Sequence, residues 1–85
     1  MNPFKVYIQY NEIIIKIYIQ SSQTIYDLKF EIMKNTKVKI DEQIISYLNE
    51  NNQIMLSNEQ TIEYYNINSG DVLILNVQNN NNNIN

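Results

Sequence analysis

Residues 13–20 read IIIKIYIQ, and this alternation constrains the chain more than any other stretch. Successive side chains of an extended strand point to opposite faces. Ile13, Ile15, Ile17 and Ile19 therefore share one face, and Ile14, Lys16, Tyr18 and Gln20 the other. After a short polar break at Ser21-Ser22-Gln23, the segment Thr24-Ile25-Tyr26-Asp27 offers a helix start. The Thr24 hydroxyl is placed there to accept from the backbone N–H three residues on. Behind it, Ile25, Leu28 and Ile32 recur at helical spacing, so the period changes from two to 3.6. A strand and a helix joined this closely, each with one apolar face, must bury those faces against each other.

The rest of the chain supplies partners for this pair. Phe4, Val6, Ile8 and Tyr10 alternate with Lys5, Tyr7 and Gln9, so Phe4–Gln20 reads as a β-hairpin with a tight turn near Asn11. Pro3 precedes the first strand, where its missing N–H does little harm. The helix is expected from about Ile25 to Asn35, with Lys34 and Lys37 suiting the negative pole of its dipole. Val38 is expected to enter the core from the segment Lys37–Ile40. Asp41-Glu42-Gln43 leads into a third strand, Ile44–Leu48, followed by a polar loop, Asn49–Asn52. A very short strand over Gln53–Leu56 would point Leu56 inward. Thr61–Ile67 reads as a helical turn, and Ser69-Gly70-Asp71 as a turn with positive φ at the glycine. Val72–Val77 is the last strand, with Leu73, Leu75 and Val77 on one face. The order is β-β-α-β-β-turn-β, which packs as one mixed sheet with a helix across one face, an α+β architecture.

Composition narrows the chemistry. Eighty-five residues support one domain with one small core. Histidine and cysteine are absent, which removes disulfides, thiol nucleophiles, imidazole bases and the usual zinc sites. The six basic residues are all lysines and the formal net charge is −3, so nothing points electrostatically to nucleic acid. No run of about 18 apolar residues suggests a membrane span, and the N-terminus does not read as a signal peptide. Phosphate-binding glycine loops and nucleophile–base pairs are missing. Asp41/Glu42 and Asp27/Glu31 read as solvated carboxylates at element starts. These features predict a non-enzymatic protein that needs no cofactor, metal or small-molecule substrate, located in the cytoplasm or nucleus.

Three segments carry a family resemblance. Ser22-Gln23-Thr24-Ile25-Tyr26-Asp27-Leu28-Lys29 resembles the helix entry of ubiquitin and the ubiquitin-like β-grasp domains. Asp41-Glu42-Gln43-Ile44-Ile45 is similar to that family's lead into its third strand. Thr61-Ile62-Glu63-Tyr64-Tyr65-Asn66-Ile67 looks like its T-L-x-x-Y-N-I segment and is followed at the matching distance by a glycine turn and an apolar strand. The resemblance implies a ubiquitin-like β-grasp fold over residues 1–78, with residues 79–85 as an Asn-rich flexible tail. It also implies a half-buried Lys29 and a Tyr65 that packs its ring under the preceding loop and satisfies a backbone group with its hydroxyl.

Two departures bear on function. Conjugated members of the family end in a diglycine, whereas here the last strand runs into Val77-Gln78-Asn79 and further asparagines. The family's apolar recognition patch is matched by Ser46, Asn76 and Asn11, all polar. The resemblance therefore implies a non-catalytic protein–protein interaction module, an adaptor or complex subunit that is not itself conjugated. The alternative is a ubiquitin-like modifier with an atypical C-terminus.

Two surfaces are candidates for partner binding. Tyr26, Phe30 and Met33, at i, i+4 and i+7, form a second apolar stripe on the helix, either a docking face or a stripe covered at the edge of the core. Tyr7, Ile14 and Tyr18 project from the open face of the hairpin with Lys5 and Lys16, joined by Ile44 and Ile74 from other strands. They form either a recognition surface or a set of residues suited to strands by propensity alone.

Overall fold

A computed structural model describes residues 2–78. The hairpin is β1 (Phe4–Tyr10) and β2 (Ile13–Ile19), and helix α1 runs over Ile25–Thr36. A 3-10 turn, Ile40–Glu42, precedes β3 (Gln43–Asn49) and β4 (Asn52–Met55), and a second 3-10 turn, Glu63–Tyr65, precedes β5 (Val72–Val77). The strands form one sheet in the order β2-β1-β5-β3-β4. β5 lies in the centre, parallel to β1 through Tyr7↔Val72 and Gln9↔Ile74, and antiparallel to β3 through Ser46↔Ile74. This is the expected α+β, β-grasp arrangement. The predicted tail, residues 79–85, lies outside the described residues.

The helix begins where its residues can satisfy the backbone donors that every helix N-terminus leaves open. Thr24 Oγ1 accepts from the Asp27 N–H, and the Asp27 carboxylate accepts from the Thr24 N–H, both at 3.1 Å. The next donors are met from outside the helix. The Ile25 N–H donates to the Gln60 carbonyl at 2.9 Å and the Tyr26 N–H to the Asn58 carbonyl at 3.2 Å. The loop before residue 61 thus caps the helix as well as connecting β4 to the 3-10 turn. At the other end Lys37 adopts the left-handed conformation, φ 69, and its N–H reaches the Met33 carbonyl.

One face of the sheet packs under α1. Val6 and Ile8 from β1, Ile17 and Ile19 from β2, and Leu73 and Leu75 from β5 are buried with Ile25, Leu28 and Ile32 of the helix. Ile45, Leu56, Ile62 and Ile67 close the far end. Burying a side chain the size of Ile62 completely contributes roughly 2 kcal/mol, which explains how a short, irregular segment is held in place. Tyr65 behaves as expected, since its ring packs against the core and its hydroxyl accepts from the Ser57 N–H at 2.8 Å. Gly70 has φ 89, and a Cβ there would touch nothing within 4 Å, so conformation rather than space calls for glycine.

Some expectations need correction. The helix extends one residue further, to Thr36, whose hydroxyl donates to the Ile32 carbonyl and accepts from the Val38 N–H. The polar loop after β3 shrinks to a turn, with Glu50 at φ 59 and Asn52 already paired to Asn49. Ile13 and Val77 lie on the faces assigned to them but are exposed, because each sits at a strand end beyond the reach of the helix. Lys29 is buried rather than half-buried.

Candidate functional site: the open face of the sheet

Strand alternation places every second side chain on the face away from α1. Across the sheet these are Ile14, Lys16 and Tyr18 of β2, Lys5, Tyr7 and Gln9 of β1, Val72, Ile74 and Asn76 of β5, Ile44, Ser46 and Leu48 of β3, and Gln53 and Met55 of β4. The predicted residues Tyr7, Ile14, Tyr18, Ile44 and Ile74 are therefore brought to one face. Gln9 links them, opposite Ile14 in one pair and Ile74 in the other. Ile14, Tyr18, Leu48 and Met55 are 59–63 % exposed, and Val72 is also exposed. Leu48, Met55 and Val72 were not among the predicted residues. Their signal was available: Met55 and Val72 each directly precede a residue expected on the inner face, Leu56 and Leu73, and Leu48 lies an even number of positions from Ile44, which was expected on the open face.

Ser46 departs from its expected place as an exposed polar residue. It is only 1 % exposed, and its hydroxyl accepts from the Gln53 side-chain amide at 3.0 Å. Gln53 is the diagonal neighbour of Ser46 across the β3–β4 pair, within reach of a long side chain. Asn11 and Asn76 are exposed as expected. The β3 half of the face is thus an apolar surface of Leu48 and Met55 around a covered serine.

The β1–β2 half carries charge. Lys5 stands opposite Tyr18 and Lys16 opposite Tyr7. Along the strands, the Lys5 ammonium lies 5.9 Å from the Tyr7 ring centroid and the Lys16 ammonium 6.0 Å from that of Tyr18, within cation–π range.

The helix stripe is a separate surface. Tyr26 and Phe30 are 51 % and 45 % exposed, Met33 is half-buried, and Lys34 lies over the Phe30 ring while pairing with Glu31 at 3.1 Å. It faces away from the open face of the sheet, so the two candidate surfaces are separate, as the sequence groups them.

A shallow hollow of about 350 Å³ beside Phe4, Ser21, Glu63 and Asn66 contains one titratable side chain, Glu63. Among the described residues no group of three His, Cys, Asp or Glu side chains could hold a metal ion, and no helix is long and apolar enough to cross a membrane. The perturbed groups are structural. Burial lowers the pKa of Lys29, partly offset by Glu59. The hydrogen bond from the Tyr47 hydroxyl to the Asp71 carboxylate, 2.9 Å, raises that of Tyr47, with burial adding to it. The same carboxylate accepts from the Asn68 N–H, so the pair fastens β3 to the turn that starts β5.

A five-stranded mixed sheet grasping one helix defines a β-grasp domain of the ubiquitin-like class. Residues 5–80 match the ubiquitin family, and the chain belongs to that family. Among solved structures, it is similar to the ubiquitin-like domain of an Arabidopsis thaliana protein, with a TM-score of 0.84 and 14 % identity over 100 % of this chain and 87 % of that one. It is also similar to ATBAG1, solved in complex with HSP70, with a TM-score of 0.79 and 15 % identity over 88 % of this chain and 40 % of that one. The chain thus spans less than half the length of ATBAG1. At such identities the likeness concerns the fold. None of the curated proteins matches the sequence.

Proposed function

We propose that this ubiquitin-like protein is a non-catalytic protein–protein interaction module, an adaptor or subunit of a larger assembly that is not itself conjugated. The observation that carries the reading is the open face of the sheet, where Val72, Leu48 and Met55 are exposed on the adjoining strands β5, β3 and β4, and Ile14 and Tyr18 on β2 across β1. Apolar surface shared by several elements, without a cavity or reactive group, is what a docked protein covers. The similar ATBAG1 structure is of a complex with HSP70, which is consistent with a binding role for the fold. Against conjugation, the positions directly after β5 are Gln78 and asparagines where conjugated relatives have glycines. The alternative of an atypical modifier predicts a covalent link.

Recovery of the tagged protein from its own cells, washed natively and then under denaturing conditions, separates the two. A defined set of proteins released by denaturation, and lost when Ile74→Asp is placed on the open face, supports the module. A ladder that survives denaturation through an isopeptide bond overturns it.

A further inference from the structure

The strand sequences contain no acidic residue, and their only charged side chains are Lys5 and Lys16. All nine acidic residues lie in the helix, turns and loops, although the chain as a whole carries −3. Charge is therefore segregated. Both lysines project from the open face on β1 and its edge neighbour β2, and among the described residues neither has a carboxylate partner. Each ammonium is held near a tyrosine ring and lies opposite the other tyrosine, with exposed Ile14 beside them. Two unpaired cations fixed against aromatic and aliphatic surface form a corner that favours anions which also bury apolar groups.

We infer that this corner, Lys5, Tyr7, Ile14, Lys16 and Tyr18, docks a protein segment that carries carboxylates next to apolar side chains. The inference rests on the interaction-module reading and specifies the chemistry of the partner. Nucleic acid is the weaker fit, because phosphate tracking needs a longer row of cations than two and the acidic remainder of the molecule opposes it. A second copy is also disfavoured. Full antiparallel pairing of two β2 edges would set Lys16 against Lys16, since it is the middle residue of Ile13–Ile19.

The test uses the intact protein labelled for amide NMR and two synthetic amphipathic peptides. They share a leucine face, and one has glutamates and the other lysines on its polar face. The glutamate peptide is expected to shift the amides of residues 5–9 and 14–18 and to bind about tenfold more tightly than the lysine peptide. The Lys5→Glu/Lys16→Glu double variant, with its dispersed spectrum retained, should remove that preference. Equal binding of both peptides to the open face would overturn the charge assignment while leaving docking intact. Failure of both to shift open-face amides would overturn docking as well. Preferential shifts of the same amides by an oligodeoxythymidine, or self-association through β2 on concentration, would equally overturn it.

Discussion

Lys29 follows Leu28 on the buried side of α1, and it is only 7 % exposed. Burial disfavours its ammonium and lowers its pKa from 10.5, with the attraction of Glu59 opposing that shift. Its backbone carbonyl is also in use, since the Gln43 side-chain amide donates to it at 2.9 Å and to the Val38 carbonyl at 3.1 Å. Lys29→Met keeps the carbonyl and the aliphatic stem but removes the charge. It should stabilise the protein by about 1 kcal/mol at neutral pH, in line with other replacements of buried charge. The pH dependence gives the sign. With the folded pKa below the unfolded one, the unfolded chain binds the proton more tightly in the window below 10.5. Wild-type stability therefore rises with pH through that window, and the advantage of Lys29→Met shrinks towards its alkaline end. Thermal melts of both proteins from neutral to alkaline pH check this. A variant less stable than wild type at neutral pH would mean that attraction to Glu59 outweighs burial.

At the scale of elements, much was readable because local chemistry and packing agree. The alternation of β2, the Thr24 cap, the inward Leu56 and the turn at Gly70 all follow from residues a few positions apart, and the structure places them accordingly. What the sequence leaves open depends on neighbours that are distant in the chain. Alternation assigns Ile13 to a face but does not say whether anything covers it. Burial of Ser46 depends on the β3–β4 register that puts Gln53 diagonal to it. Likewise the Asn58 and Gln60 carbonyls that cap α1 arrive from some thirty residues away. The candidate surface was legible only in part, because period two identifies its members strand by strand while the strand order decides which of them adjoin. The helix cap offers a test at this scale. Thr24→Ala removes the acceptor for the Asp27 N–H and leaves the Asp27 carboxylate with one half of a reciprocal pair. It should cost about 1 kcal/mol in chemical denaturation. The Thr24→Ala/Asp27→Ala double variant should cost less than the sum of the single changes, because both break the same unit. Strict additivity would show that the two hydrogen bonds act independently.

For the whole molecule, β5 is the element on which cooperativity depends. It joins the N-terminal hairpin, through its parallel pairing with β1, to the β3–β4 pair on its other side. Neither half has a complete sheet without it, and an isolated hairpin is marginal at best. The parallel contact Tyr7↔Val72 spans most of the chain, so forming it carries the loop-closure entropy of a long-range pairing. Leu73, at the centre of this junction, is fully buried in the cluster that also holds Ile8 and Ile25. Leu73→Ala should therefore cost roughly 2–5 kcal/mol, the range for a large-to-small change in a packed core. The loss should be global, because both halves of the sheet share the residue's neighbours. Tyrosine fluorescence, from side chains distributed over β1, β2, α1, β3 and the 3-10 turn, and far-ultraviolet dichroism should then report one coincident transition for the variant as for wild type. If Leu73→Ala instead unfolded in two separate steps, with the helix signal surviving the first, β1–β2 and α1 would form a stable subunit by themselves. The last strand would then be an addition to the fold rather than the element that closes it.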